Sequence, residues 1–325
     1  MKKLAIAAIV LSSIAIAGEI FIFATRKEAN SDELIRRAIK ADYRVYAPPL
    51  PDTLSFCGER VPLNIYYVRE SLDRELVSNM YYQSNTLFYF KRAVRTFPII
   101  ERILREEGMP DDLKYLCVIE SGLQNVTSPA GASGYWQFMK TTAQQYGLEI
   151  TDDIDMRNHL DSSTRAACTY FKMLRQRFGN WTSAAAAYNC GENGLARRLA
   201  NQRQTSYYDL LLNSETQRYV YRILALKLLM QHPQDYGFVL RRCDTYPELP
   251  FEEVQLSERN TDLVQFALDH GTSYKMLRSL NPWLTSDHLK NPLSKTYTLR
   301  IPTKKGTEYN TIVRGRHDTT VIENL

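Results

Sequence analysis

The chain has 325 residues, of which 44% are hydrophobic and 24% charged, and its formal net charge is +5. These are ordinary values for globular proteins, so they exclude a largely disordered chain and a protein with many membrane spans. The length favours one large domain with a smaller module. No zinc-finger spacing, RNP-type aromatic stripe or long run of Lys and Arg occurs, which argues against nucleic acid as a partner.

The first residues are typical of an export signal. Two lysines follow Met1, and an apolar run extends from Leu4 to Ala17, where small residues offer a cleavage site. Because apolar residues continue as far as Phe23, an uncleaved membrane anchor is the alternative. Residues 1–27 are therefore predicted to be a signal peptide or an N-terminal anchor. Either would place the rest of the chain outside the cytoplasm, in the periplasm, with possible membrane association through the N-terminus.

Helical patterns dominate the middle of the chain. Residues 28–63 form a polar, Pro-rich lead that is predicted to be a linker or a strap across a domain. Over residues 64–235, apolar residues recur three and four positions apart, between helix-ending glycines and helix-starting Pro, Asp and Asn. One of these helices is predicted to begin with Asp161 as its N-cap.

The pattern changes to short strands and short helices over residues 250–305. Strand-like pieces, "EEVQL" and "TYTLRIP", flank two helical pieces, "TDLVQFALDHG" and "SYKMLRSLN". This order predicts a small β-α-α-β unit, followed by a flexible polar tail over residues 306–325. The predicted fold class is therefore mainly α, with a small C-terminal β-α-α-β domain.

One carboxylate lies on an otherwise apolar helix. At about 100° per residue, Leu113, Leu116, Cys117 and Glu120 share a narrow face, and Glu120 falls in the last turn before Gly122. Burial and the negative end of the helix dipole would both raise the pKa of Glu120. A carboxylic acid that keeps its proton near neutral pH is the general acid that glycosidic bond cleavage requires. A buried ion pair with Lys or Arg is the alternative.

Four blocks of sequence resemble the soluble lytic transglycosylase (SLT) family, in the family's order. The first, "IESGLQNVTSPAGASGYWQFMKTTAQQYGL", has the family's Glu-Ser, its S-P-x-G-A-x-G turn and its G-x-x-Q segment. The others are "DMRNHLDSSTRAACTYF", "AAAAYNCGENGLARRL" and "SETQRYVYRILAL". The lead-in "FPIIERILREEGMPDDLKYLCVIES" is most similar to the membrane-bound D type of this family. The resemblance covers residues 64–232 and implies a lysozyme-like (α+β) fold.

The resemblance implies that Glu120 is the sole catalytic acid and base. It would protonate the oxygen of the MurNAc-GlcNAc β-1,4 bond of peptidoglycan and then accept the proton of the C6 hydroxyl of the same MurNAc. The product would be a 1,6-anhydro sugar, formed without water. Ordinary glycosidases need two carboxylates about 5–9 Å apart, and the sequence shows no obvious second one. No metal or organic cofactor is expected.

Other site residues follow from the same resemblance. The substrate-binding candidates are Ser128, Gln137, Met139, Tyr188 and Asn189, and the supporting candidates are Ser121 and Tyr219. For Tyr188 and Met139 the alternative is core packing. For Ser121 the alternative is a helix-end hydroxyl that bonds a backbone carbonyl.

The C-terminal unit resembles a LysM domain, a module that binds glycans containing N-acetylglucosamine. "LVQFALDHGTSYKMLRSLNPWL" and "YTLRIP" carry the resemblance. The family's usual G-D-T turn is replaced by "ERNTD", so a module that only packs on the catalytic domain is the alternative. Together these features predict a peptidoglycan lytic transglycosylase with glycan strands as its partner. The alternatives are a lysozyme-like hydrolase and a non-catalytic peptidoglycan-binding protein.

Overall fold

The computed structural model describes residues 45–304, 306–308, 321–323 and 325. The predicted signal peptide or anchor, residues 1–27, lies outside these ranges, as do the first part of the lead and most of the tail. Within the ranges, no helix combines the length and the apolar character needed to cross a membrane.

The described part of the chain is mainly helical, as predicted from the sequence. The helices of the larger part are α1 Tyr66–Tyr81, α2 Gln83–Glu106, α3 Lys114–Ser121, α4 Lys140–Gln145, α5 Leu160–Phe178, α6 Trp181–Cys190, α7 Glu192–Gln202 and α8 Ser214–Gln231. The predicted N-cap of α5 is wrong. His159 caps this helix, because its Nδ1 accepts from the Ser162 amide at 3.2 Å, whereas Asp161 pairs with arginines.

The lead crosses the larger domain and packs on it. Its short antiparallel hairpin, β1 Ser55–Phe56 and β2 Glu59–Arg60, places Phe56 in the main core. The Glu59 carboxylate accepts from the Trp181 amide at 2.5 Å and from the Thr182 amide at 3.0 Å. These amides are at the N-terminus of α6, where the helix dipole favours a negative charge. Glu59 therefore fixes the lead to the start of α6.

Asparagine caps begin two helices that carry candidate site residues. Asn180 Oδ1 accepts from the Ser183 amide at 2.7 Å at the start of α6, and Asn213 Oδ1 accepts from the Thr216 amide at 2.9 Å at the start of α8. All four alanines of Ala184–Ala187 are fully buried, and α6 packs on α5 and α8 along them. The caps and this close packing fix the C-terminal end of α6 against the N-terminal part of α8.

Helix α3 lies inside the larger core. All of its residues are buried except Glu120, which is half-buried. The predicted core-facing side of the helix is confirmed, since Leu113, Leu116 and Cys117 are fully buried. Its other sides are enclosed as well, so α3 opens to solvent only at Glu120. Gly122 ends α3 at a φ of +60°, and a Cβ there would lie 2.9 Å from Tyr89 Cε1. Glycine is thus required both by the left-handed turn and by the close approach of Tyr89.

The C-terminal module has the predicted β-α-α-β order. Its elements are β3 Phe251–Leu256, β4 Thr261–Asp262, α9 Leu263–Asp269, α10 Tyr274–Leu280, β5 His288–Leu289 and β6 Tyr297–Pro302. Strands β3 and β6 pair antiparallel, with Leu256 opposite Tyr297, and β4 pairs with β5. The module has a hydrophobic core of its own, which also contains Ile154 of the larger domain.

Candidate active site

Glu120 is held by a tyrosine rather than by a cation. The hydroxyl of Tyr219, on α8, donates a hydrogen bond to Glu120 Oε1. No ion pair involves Glu120 in the part of the chain that the structure describes, so the alternative of a buried ion pair is wrong. Tyr219 is buried and its hydroxyl has one direction in which to donate. The contact therefore orients the carboxyl group through Oε1, and Oε2 has no hydrogen bond to another of the described residues.

The surroundings of Glu120 keep its proton near neutral pH. Burial raises the pKa of Glu120 to about 7, and the negative charge of Glu215 acts in the same direction. The Tyr219 hydrogen bond and the positive charge of Arg222 lower the pKa but do not outweigh burial. The group can therefore donate a proton near neutral pH and take one back, which suits general acid-base chemistry.

A second carboxylate, which was not predicted from the sequence, lies near enough to Glu120 to affect its pKa. Glu215 is exposed at the N-terminus of α8, and its Oε1 accepts from Asn189 Nδ2 at 3.3 Å. The signal that could have identified Glu215 is its place in the "SETQRYV" block, which resembles the family but to whose Glu no role was assigned. Glu215 and Arg222 line a cavity of about 560 Å³ together with residues of α1 and α2, and with Tyr82, which lies between these two helices. Glu120 itself does not line this polar groove. Arg222 donates to the Ile119 carbonyl at 3.5 Å, so the groove reaches the helix that carries Glu120.

The Ser/Pro/Gly-rich segment forms a compact turn beside α3. We call residues 126–138 the active-site turn. Ser128 closes one end, because its amide donates to the Ala132 carbonyl at 2.8 Å and its Oγ accepts from the Ala132 amide at 3.1 Å. The Ser128 hydroxyl hydrogen has no acceptor among the described residues, so it is free for a ligand. Gly134 has a φ of +82°, and a Cβ there would lie 1.9 Å from the Arg157 carbonyl oxygen.

Gln137 stabilises the turn from within. Its backbone is left-handed, with a φ of +49°, and its Nε2 donates to the carbonyls of Val126 and Gly134, both at 2.8 Å. The amide nitrogen is thus used inside the turn and only the side-chain oxygen can face a ligand. Met139 follows the turn with 45% of its surface exposed, so the core-packing alternative is wrong for this residue.

Tyr188 connects the turn to the core. Its ring stacks on Phe171 with 4.7 Å between centroids, and its hydroxyl donates to the Trp136 carbonyl at 2.7 Å. Burial and the charge of Glu120 raise the pKa of Tyr188 well above its ordinary value, so the phenol remains a neutral donor. Tyr188 therefore holds the turn near Glu120, with its hydroxyl already occupied.

The two remaining candidates form local contacts. Asn189 Oδ1 accepts from Thr216 Oγ1 at 2.9 Å, which leaves its amide on Glu215. Ser121 donates to the Cys117 carbonyl at 3.1 Å within α3, which is the helix-end contact considered as its alternative. Tyr219, Tyr188 and Asn189 thus come together around Glu120, while Ser121 points into its own helix.

Comparisons with known proteins fit this arrangement. Residues 97–211 match the family described as "Transglycosylase SLT domain", and residues 252–305 match "Soluble lytic transglycosylase C-terminal LysM-like domain". The chain is 30% identical over 242 residues to "Membrane-bound lytic murein transglycosylase D" of Escherichia coli K12 and of Escherichia coli O6:H1. The aligned residues cover 72% of this chain and 52% of each relative.

A third relative is "Putative tributyltin chloride resistance protein" of Alteromonas sp. (strain M-1), 31% identical over 121 residues, or 36% of this chain and 58% of the relative. The chain spans about half the length of the curated relatives it matches. By its two family matches, the chain carries an SLT transglycosylase domain followed by the LysM-like domain of soluble lytic transglycosylases.

Proposed function

We propose that the protein is a peptidoglycan lytic transglycosylase. It cleaves the MurNAc-GlcNAc β-1,4 bond without water and releases 1,6-anhydroMurNAc products during turnover and remodelling of the wall. The observation that carries the proposal is Glu120, a half-buried carboxyl group with a pKa raised to about 7, oriented by Tyr219 in an SLT domain. The similarity to a lytic murein transglycosylase supports the same substrate.

Glu120 acts twice in the proposed reaction. In its protonated form it gives its proton to the glycosidic oxygen, the bond from that oxygen to C1 of MurNAc breaks, and GlcNAc leaves with a hydroxyl group. The resulting carboxylate then accepts the proton of the MurNAc C6 hydroxyl as O6 bonds to C1. Glu120 regains its proton, and no water is consumed. The Tyr219 hydrogen bond stabilises the carboxylate formed between the two steps.

The turn and the groove are proposed to hold the glycan strand. The free hydroxyl hydrogen of Ser128 and the side-chain oxygen of Gln137 are available to the N-acetyl and hydroxyl groups of the sugar. Met139 offers exposed apolar surface to a sugar ring. Tyr188 and Asn189 keep the turn and Glu215 in place around Glu120. No metal or organic cofactor takes part.

Glu215 favours a second candidate, a lysozyme-like hydrolase. A carboxylate on the solvent side of the site could activate water, which is the arrangement that inverting glycosidases use. The two reactions differ in their products, because hydrolysis leaves a reducing end and the transglycosylase reaction leaves an anhydro end. We favour the transglycosylase because Glu215 is exposed and its carboxylate already accepts a hydrogen bond from Asn189, and because the similar curated protein is a lytic transglycosylase.

The domains and the location follow from the same proposal. We place the catalytic domain at residues 64–235 and the LysM-like domain at residues 250–305, with the lead of residues 28–63 as a strap. The apolar N-terminal segment exports the protein to the periplasm, where peptidoglycan is accessible, either as a cleaved signal peptide or as an anchor.

Digestion of purified peptidoglycan with wild type and Glu120→Gln tests the proposal. We expect the wild type to release 1,6-anhydro muropeptides and Glu120→Gln to release none, because the amide keeps the shape of the carboxyl group but has no acidic proton to give to the glycosidic oxygen. Glu215→Gln serves as the comparison and should retain anhydro products. Equal product release by wild type and Glu120→Gln would refute the role of Glu120.

A further inference from the structure

A hairpin of the larger domain binds the C-terminal module through its backbone. Residues 149–156 form this hairpin. One of its two arms pairs antiparallel with a segment of the module, with Ile154 opposite Leu284. The Asp155 amide donates to the Trp283 carbonyl at 2.8 Å. The Thr285 amide donates to the Asp153 carbonyl, also at 2.8 Å. We call this pairing the joint.

Side chains reinforce the joint on both sides. Asp153 Oδ2 accepts from the Lys290 amide at 2.8 Å, and Thr285 Oγ1 donates to the Asp152 carbonyl at 2.7 Å. Ile154, which is only 3% exposed, packs within the hydrophobic core of the module. Paired backbone groups and a shared hydrophobic core favour one relative orientation of the two surfaces. The joint is therefore a fixed connection.

Arg157 connects the joint to the active-site turn. Its Nε and Nη2 donate to the Asp155 carboxylate at 2.9 and 2.6 Å. Its Nη1 donates to the Gly131 carbonyl at 2.9 Å and to the Phe138 carbonyl at 3.0 Å. Both arginine and aspartate are buried, so the ion pair and the buried bond to the Phe138 carbonyl form one desolvated network. The bond to the Gly131 carbonyl extends this network to the exposed part of the turn. A planar guanidinium group can make all these bonds at once, whereas a lysine ammonium group cannot.

We propose that the C-terminal module is part of the active-site scaffold and that Arg157 is the positioning residue through which it acts. Asp155 is bound on two sides, by the module at its amide and by Arg157 at its carboxylate. A displacement at the joint therefore moves Arg157 and, with it, both carbonyls that it holds in the turn. The inference rests on the proposed function, because it takes the turn that carries Ser128 and Gln137 as the substrate contact.

The first test variant is Arg157→Lys. Lysine keeps a positive charge beside the buried Asp155, so the domain should still fold, but it cannot hold both turn carbonyls. We expect the KM for glycan strands to rise about tenfold, the loss that one or two hydrogen bonds predict. The pH profile should stay in place, because Arg157 has no contact with Glu120 among the described residues. Hydrogen exchange at the amides of Ser128 and Gly134 should accelerate.

The second variant, Asp153→Ala with Thr285→Val, tests the contribution of the module. It removes two side-chain hydrogen bonds of the joint and the ion pair of Asp153 with Lys290, and it leaves Arg157 intact. We expect a smaller rise in KM, about threefold, and faster exchange in the active-site turn. Asp269→Asn is the matched control, because the partner of Asp269, Gln265, lies inside the module. It should leave both KM and exchange as in the wild type.

The outcomes separate the inference from the proposed function. A wild-type KM and wild-type turn exchange in Arg157→Lys would overturn its positioning role. Unchanged turn exchange in the joint variant would overturn the contribution of the module. A loss of thermal stability with an unchanged KM would indicate a structural role only and would also overturn the inference. A wild-type protein that releases no anhydro product refutes the proposed function alone, because the exchange measurement does not depend on activity.

Discussion

The hydrogen bond from Tyr219 to Glu120 should set the pH dependence of the reaction. Glu120 must be protonated to cleave, so activity should fall as pH rises through its pKa of about 7. Tyr219 stabilises the ionised form and lowers this pKa. Replacing Tyr219 by Phe removes the donor and leaves the ring, so the pKa of Glu120 should rise further.

The size of the change follows from the kind of hydrogen bond that is lost. A bond to a charged group contributes about 1.5–3 kcal/mol, and the lower value applies here because Glu120 is only half-buried and water can replace part of the contact. About 1.4 kcal/mol corresponds to one pKa unit. The alkaline limb of kcat/KM should therefore move from about pH 7 in the wild type to about pH 8 in Tyr219→Phe.

The assay is the initial rate of anhydro muropeptide release, measured by mass spectrometry from about pH 4 to about pH 9. Tyr221→Phe is the matched control, because Tyr221 is a buried tyrosine of the same helix that does not contact Glu120. The alkaline limb of the Tyr221→Phe profile should coincide with that of the wild type. An alkaline limb for Tyr219→Phe at or below the wild-type position would refute the reasoning about the acid.

Three further predictions concern stability and product. The pKa of Glu120 lies about 2.5 above its ordinary value of 4.5, so the ionised group destabilises the folded state by about 3 kcal/mol above about pH 7. Glu120→Gln should therefore raise the melting temperature at pH 8 but not at pH 4. An equal effect at both pH values would contradict the burial argument. Gly134→Ala should lower the free energy of unfolding by about 2–4 kcal/mol in chemical denaturation, because its Cβ meets the Arg157 carbonyl. Gly131→Ala has open space around its Cβ and should cost only about 1 kcal/mol. Similar losses in the two variants would count against the close approach of Gly134 to the Arg157 carbonyl. Glu215→Gln should lower the pKa of Glu120 slightly and shift the alkaline limb downward, and a limb displaced upward would show that Glu215 does not act through its charge.

Local patterns predicted the helices and the β-α-α-β module well. Periodic apolar residues and nearby caps define helices over short distances, as the start of α8 after Asn213 illustrates. The N-cap of α5 was misassigned because Asp161 is an acceptable cap by composition, whereas its carboxylate is used in pairs with Arg102 and Arg300. Such long-range pairs leave no local signal in one sequence.

The site was predictable in its central residue but not in its surroundings. Glu120 was identified by its position at the end of an apolar helix, although the burial of that helix on all sides depends on tertiary packing. Glu215 approaches Glu120 only because α3 and α8 meet in the fold. The network of Arg157 joins segments that are separated along the chain, and an arginine beside an aspartate in sequence is ordinarily a solvated pair.

The most direct test of the account is digestion of peptidoglycan by the wild-type enzyme in water enriched in ¹⁸O. The transglycosylase reaction, with Glu120 as acid and then base, predicts products that end in 1,6-anhydroMurNAc and contain no ¹⁸O. Products with a reducing end that carries one ¹⁸O would contradict it and would identify a hydrolase.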